Sequence, residues 1–346
     1  MTTKLYIGLD LHSSNTYIGV MDKKMERIFQ KRVDNKLDEI LRRLEPFKRY
    51  TAGVVVESTY NWYWLVDGLM EAGYHVHLSN PSAMVQYEGM KCQDDKHSAF
   101  WLAHMLAIGN LKEGYIYPKA ERPIRDLLRK RLFLVWNRTS HILSLQAMIH
   151  RNTGERFGSE ELVKLTEATL QHLLKNEYLV MAAMSDLSGI AQLSEQIKWI
   201  QKTAKKVAVL REPFHYLLTI PGVGDILSLT IMYETGNFDR FASDKNFSSY
   251  ARCVPAIRTS NNKRKGDANR KNGNRYLAWA FAEAAVYARN ASARINAYYQ
   301  RKKAKTNAAV ASKAVANKLS KAAYYVMRNR TEYNENLLFG PCRPDR

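Results

Sequence analysis

The sequence is short of acidic charge, with 33 Asp and Glu against 53 Lys and Arg, and the net charge at pH 7 is +20. A chain this basic repels itself, an imbalance usually kept because a polyanion neutralises it, and nucleic acid is the first such partner to consider. Cysteine is almost missing: Cys92, Cys253 and Cys342 stand singly, which excludes a disulfide framework and a cysteine zinc site and fits a reducing cytoplasm. Long hydrophobic runs are missing too. The apolar start MTTKLYIGLDLHSS is interrupted at Asp10, so it reads as a buried strand rather than a secretory signal or membrane anchor. Proline is absent between 160 and 209, which leaves long helices possible there.

Apolar residues make up 46% and aromatics 11%, too much burial potential for a disordered chain. A length of 346 residues accommodates at least two domains. KLYIGL at 4–9 and TYIGVM at 16–21 are short apolar segments rich in aromatic and β-branched residues, and with a third strand near 27–33 they predict a meander. Leu37, Ile40, Leu41 and Leu44 recur at helical spacing behind Asn35, a plausible N-cap. AGVVVES at 52–58 is a continuous apolar run, as expected of a strand covered on both faces. The helix NWYWLVDGLMEAG and the strand YHVHLSNP follow, so the first part predicts an α/β layer with a mixed sheet. From about 96 the pattern is helical, with long helices expected over 122–150 and 160–209. Near Pro213 the character changes again, and Ala-rich helices run to Met327 before a tail, NENLLFGPCRPDR, expected to fray.

Asp10 and Glu57 each sit at the carboxyl end of a predicted strand, where side chains from distant positions converge on one edge of a sheet. Asp95 opens a helix whose Ala99, Leu102 and Ala103 would pack on that sheet. Each acid alone is an ordinary strand end or helix-start residue. The three together suggest a site for Mg²⁺, a hard ion that takes carboxylate oxygens and bridges to phosphate. Asp94 is adjacent but should face another way around the helix.

LLTIPGVGD at 217–225 has the form of a helix-hairpin-helix, in which Gly222 and Gly224 would let the backbone approach a DNA phosphate; the alternative is a tight turn between packed helices. The segment 257–275 holds Arg258, Lys263, Arg264, Lys265, Arg270, Lys271 and Arg275 against the single acid Asp267, a density expected of a phosphate-contacting loop. Ser260 at its start places a hydroxyl among cations that could hold a phosphate for attack. Tyr276, Tyr287, Tyr324 and Tyr325 are expected to pack as core rather than to stack on bases.

IGLD at 7–10, VVES at 55–58, QDDKHSAFWLA at 93–103, IPGVG at 220–224 and VPAIRTSNNKRKG through NGNRYL together resemble the DEDD insertion-sequence transposases. That family of bridge-RNA-guided recombinases includes the pilin-gene invertases. The resemblance spans roughly residues 4–330. It implies a RuvC-like, RNase H-type nuclease domain (1–150), a helical dimerisation arm (151–209) and a C-terminal transposase domain (210–335). It implies Asp10, Glu57 and Asp95 as catalytic metal ligands and Ser260 as the serine that attacks DNA. It also implies donor and target DNA, a guide RNA, and a homodimer or tetramer, with no membrane partner. The chain departs from the family at one point: aligning Leu102-Ala103 puts Ser98 where the fourth carboxylate should be. Asp95 and Ser98 share a helical face, so Ser98 could ligate weakly or through water, or Asp94 could contribute after a change of register. A RuvC-like endonuclease that uses water, and an impaired relative that only binds nucleic acid, stay open as alternatives.

Overall fold

The computed structural model describes residues 4–83, 94–208, 211–261, 263–267, 269 and 271–340. Two compact units divide the chain between Lys119 and Ala120.

The first unit is the expected mixed sheet. Strands β1 (Leu5–Leu11), β2 (Asn15–Asp22) and β3 (Arg27–Asp34) form the antiparallel meander. Helix α1 (Leu37–Leu44) crosses over to β4 (Thr51–Glu57), which pairs parallel with β1. Helix α2 (Tyr63–Glu71) leads to β5 (Val76–Ser79), parallel to β4, and the strand order is β3-β2-β1-β4-β5. Side chains alternate across a strand. Leu5, Ile7, Leu9 and Leu11 of β1 therefore join Val54 and Val56 of β4 on one face, covered by Ile40 and Leu44 of α1 and Leu65 and Leu69 of α2.

The other face carries Gly8 and Asp10 of β1 and Val55 and Glu57 of β4, and is covered by α3 (Asp95–Ala107). Gly8 and Gly19 are cross-strand partners, and together they make a shallow groove in which α3 lies. A Cβ at Gly8 would stand 1.8 Å from the Ala99 carbonyl oxygen, and one at Gly19 would stand 3.3 Å from the Ala99 Cβ. Four helical residues rise about 6 Å and two strand residues about 6.6 Å. With Ala99 over Gly8, the start of α3 at Asp95 thus falls beside Asp10 at the end of β1. Ala99, Leu102 and Ala103 are fully buried, as their spacing predicted.

In the second unit, α4 (Arg122–Thr153) is one continuous helix antiparallel to α7 (Glu177–Ala208), with His141 facing Asp186 and Arg138 facing Ser194. The segment 122–150, read from sequence as the end of the first domain, packs here. The long helix expected over 160–209 is broken into α5 (Ser159–Leu162), α6 (Glu167–Leu174) and α7. Thr166 caps α6, and Lys175, left-handed at φ 52, ends it. These short helices enclose Leu145, Ile149, Leu162, Leu170 and Ile190 at one end of the pair.

Beyond them lie α8 (Glu212–Leu218), α9 (Asp225–Thr235) and α10 (Asp244–Tyr250). A two-stranded hairpin, β6 (Ile257–Ser260) and β7 (Lys263–Asp267), comes next. Helices α11 (Arg275–Ala291), α12 (Ala293–Lys305), α13 (Ala308–Asn329) and α14 (Glu335–Phe339) close the unit. Their shared core includes Phe214, Leu217, Ile231, Phe247, Phe281, Leu319 and Tyr324. The tail expected to fray is docked as far as Gly340: Lys318 Nζ donates to the Leu338 carbonyl at 2.9 Å.

Gly8→Ala puts a methyl group into backbone that cannot yield without lifting α3, and overpacking of this kind costs about 1–3 kcal/mol or more. Denaturant unfolding should show a loss at or above that range; a loss under about 0.5 kcal/mol would contradict the close packing of α3 on the groove.

Candidate active site

Three of the sequence-predicted acids come together on the α3 face of the sheet. Leu9 pairs with Val56, so Asp10 and Glu57 follow as neighbours at the carboxyl ends of two parallel strands, and their carboxyl groups share a hydrogen bond. Asp10 is 3% exposed. Asp95 reaches the same place from the first turn of α3.

A fourth residue, missed in the sequence, joins them. His12 follows β1 in what reads as a polar turn, and its Nε2 lies 3.4 Å from Asp10 Oδ2 and 3.1 Å from Asp95 Oδ1. One ligand atom each from Asp10, His12 and Asp95 fall within 4.8 Å of one another. The only signal for His12 in the sequence is its place two residues after Asp10. On the far side, Arg32 of β3 pairs with Asp95 Oδ2.

Two asparagines hold the His12 turn. The His12 carbonyl accepts from Asn35 Nδ2 at 2.9 Å and from Asn61 Nδ2 at 3.0 Å, while Asn35 Oδ1 accepts from the Thr16 hydroxyl at 2.6 Å. This corrects the expectation that Asn35 caps α1: the N-cap is Lys36, which makes no side-chain bond. The amide of Asn35 is used by the His12 turn.

Burial raises the Asp10 carboxyl above its ordinary range, against the opposing pull of His12. Burial, and then the neighbouring Asp10, push Glu57 up to about 7. Below about pH 7 the pair therefore holds a proton between two carboxylates that would otherwise repel, and a cation could take that proton's place. The donor set fits a divalent ion. His12 Nε2 is a buried nitrogen close to two carboxylates, yet it lies in hydrogen-bonding geometry with neither, as a lone-pair donor beside an ion would.

The two remaining candidates near this cluster differ. Asp94 is spent as the cap of α3, accepting from the His97 amide at 2.6 Å. Ser98 is half-buried one turn beyond Asp95, and its amide donates to the Asp94 carbonyl at 3.0 Å.

The other sequence-predicted residues belong to the second unit. Gly222 has φ +80, and a Cβ there would lie 2.4 Å from the Ala288 amide nitrogen and 2.5 Å from the Ala284 carbonyl oxygen. The close approach that this glycine permits is therefore to α11. Gly224 is the N-cap of α9 and faces open space. The turn between α8 and α9 and the ring of Tyr287 line a cavity of about 550 Å³.

Ser260 ends β6 and is exposed, opposite Lys263 across a turn that begins at Asn261, left-handed at φ 52. Arg258, Lys263, Lys265 and Lys271 are exposed as well. Arg264 pairs through its backbone with Thr259, whereas its side chain and all of Arg270 lie outside the described residues. Tyr324 is core at 2% exposure and Tyr276 is half-buried, but Tyr287 at 58% and Tyr325 at 51% are exposed, contrary to the expectation of core packing for all four.

Comparison with known proteins identifies the family. A family model described as transposase, of the DEDD type of IS110 elements, matches residues 7–152 and so includes Asp10, His12, Glu57 and Asp95. A second, described as the transposase IS116/IS110/IS902 family, matches residues 214–300, which span the α8–α9 turn and Ser260. The chain belongs to the IS110-type DEDD transposases. It is similar to the transposase for insertion sequence element IS1328 of Yersinia enterocolitica, with 22% identity over 337 residues, 95% of this chain and 98% of that protein. The transposase is thus a DNA-acting enzyme of an insertion sequence, and its mixed sheet and mostly helical second unit are compatible with an RNase H-like DEDD fold. Among its described residues no helix is long and apolar enough to cross a membrane.

The raised Glu57 carboxyl has a measurable consequence. Between about 4.5 and about 7 the folded, metal-free protein keeps a proton that the unfolded chain releases, so the cost of burying Glu57 is absent at low pH and complete above 7. Glu57→Gln mimics the protonated form and can still donate to Asp10. In chelator it should raise the thermal midpoint at pH 8 by about 2 °C or more and by nothing at pH 4; an equal shift at both would refute the buried proton.

Proposed function

We propose that this transposase cuts and rejoins DNA through a divalent-cation site built from Asp10, Glu57, Asp95 and His12, with Ser260 as the nucleophile and a guide RNA selecting the DNA. The observation that carries the reading is the convergence of Asp10, His12 and Asp95 within 4.8 Å, with Glu57 bonded to Asp10, at one edge of the sheet. A bound cation supplies neutralisation of the charge that develops on the attacking and leaving oxygens of a phosphodiester. Mg²⁺ suits the carboxylates, and the imidazole of His12 extends the set toward Mn²⁺. Ser98 stands where the family's fourth acid is expected, so it ligates weakly or through water. Arg32 covers Asp95 in the meantime and holds its charge in place.

The chemistry assigned to Ser260 is a transesterification. Its Oγ forms a bond to phosphorus as the deoxyribose oxygen leaves, and the displaced oxygen takes up a proton as a hydroxyl. A hydroxyl of the exchanging strand then attacks the serine phosphodiester, which restores Ser260 and rejoins DNA without an external energy source. Arg258, Lys263, Lys265 and Lys271 line the hairpin with positive charge for phosphate contact, joined in this role by Arg264 and Arg270. The α8–α9 turn serves as a helix-hairpin-helix contact through Gly224, and Gly222 closes the turn on α11. The first unit acts as the RuvC-like nuclease domain, α4 and α7 as a coiled-coil arm that joins protomers into a dimer or tetramer, and α8–α14 as the transposase domain. The guide RNA rests on the family resemblance.

Trapping a covalent protein–DNA adduct with donor DNA, target DNA and cognate RNA tests the central step. Ser260→Ala should abolish the adduct and strand cleavage with DNA affinity within about threefold of the parent, about 0.6 kcal/mol. Cleavage that persists without an adduct would mean that water is the nucleophile. Asp10→Asn should remove cation-dependent cleavage by about a hundredfold or more, and unchanged turnover would refute the cation site. Mn²⁺ should support cleavage at least as well as Mg²⁺; activity restricted to Mg²⁺ would remove His12 from the ligand set.

A further inference from the structure

Glu234, in the last turn of α9, is the only acidic side chain of the second unit buried to this degree among the described residues, at 2% exposure. A carboxylate in that position must be fully paired, and it is. Arg129 of α4 grips both oxygens, Nε to Oε1 at 2.6 Å and Nη2 to Oε2 at 2.7 Å, and Asn274 Nδ2 donates to Oε2 at 2.7 Å. The Arg129 guanidinium lies 4.5 Å from the centre of the Tyr276 ring. A bidentate pair fixes orientation as well as distance.

What it orients is the base of the serine hairpin. Asn274 is the residue before α11, and its Oδ1 accepts from the Tyr276 and Leu277 amides at 2.8 and 3.1 Å. Its own amide donates to the Tyr250 carbonyl at 2.6 Å. From the entry side, Arg252, left-handed at φ 54, donates Nε to the Gly273 carbonyl at 3.0 Å and Nη2 to the Lys271 carbonyl. Gly273 (φ +92) lies so close that a Cβ would stand 2.5 Å from the Tyr250 carbonyl oxygen. Residues 250–252 and 271–274 thus form a closed neck. Above it, Ile257, Arg258, Ser260, Lys263 and Lys265 are all exposed, and a two-stranded hairpin on its own is only marginally stable.

We propose that Glu234, through Arg129 and Asn274, is a positioning residue that sets where the hairpin carries Ser260, with Arg252 closing the neck from the other side. The proposal rests on the reading of Ser260 as the nucleophile for its effect on cleavage, but not for its effect on the hairpin.

Two measurements on the full-length protein separate these. In the first, Ser260→Cys carries a nitroxide label, with Cys92 and Cys342 changed to Ser; adding Glu234→Gln or Arg252→Ala should increase label mobility at position 260. In the second, with Ser260 present, each variant should slow adduct formation at saturating DNA tenfold or more while DNA affinity changes less than threefold. Arg252, half-buried and outside the ion pair, carries both measurements if Glu234→Gln does not fold. An unchanged label spectrum overturns the proposal, as does a loss of cleavage that merely follows a loss of binding. If the label responds and Ser260→Ala still cleaves, the neck stands and the serine nucleophile falls.

Discussion

The contact between Gly8 and Ala99 governs the first unit. Any side chain at Gly8 would collide with the α3 backbone, so the helix reaches the sheet only because β1 and β2 present Gly8 and Gly19 opposite one another. This close approach at Gly8 and Gly19 seats α3 against the sheet, and it brings the first turn of α3 level with the ends of β1 and β4. With an ordinary side chain at Gly8, Asp95 would stand away from Asp10 and no cluster would form. The strand alternation that points Gly8 at α3 also points Asp10 and Glu57 there.

A chain with a net charge of +20 has ample cations to neutralise its acids, yet at this edge it gathers carboxylates with few of them. Asp10 is buried and Glu57 half-buried beside it, and loss of solvent raises both. Arg32 pairs with Asp95 and His12 Nε2 lies beside Asp10 and Asp95, while Glu57 is bonded to Asp10. Side chains selected for stability alone would avoid that arrangement. The donor set is one that a divalent cation would fit, and perturbed carboxylates of this kind concentrate at working sites.

The second unit meets a different constraint. Along its basic hairpin Ile257, Arg258, Ser260, Lys263 and Lys265 are exposed, as charges free to meet a polyanion must be. Whatever order the hairpin has must come from the point where it leaves the fold. The buried bonds of Glu234, Arg129, Asn274 and Arg252 lie at that point. Gly222 meets a conformational requirement of the fold. Its φ of +80 and the absence of a side chain serve packing on α11, a reason as strict as an approach to DNA.

The amino-acid pattern by itself determined the strand meander, the crossover helix, the parallel strand ending in Glu57 and the helix opened by Asp95. Each depends on local periodicity and on the contrast between apolar runs and polar ends. For the same reason the three acids could be singled out as strand-end and helix-start residues. Tertiary structure decided what depends on atoms far apart in the chain. His12 joined the site because the Asn35 and Asn61 amides fold its turn back over Asp10, and no spacing rule connects positions 12, 35 and 61. The break in the 160–209 segment was set by a cap at Thr166 and a left-handed Lys175, neither of which interrupts hydrophobic periodicity. The neck at Glu234 was invisible because an acid at the end of an apolar helix declares its partner only when α4, α9 and α11 pack and leave its charge no water to turn to.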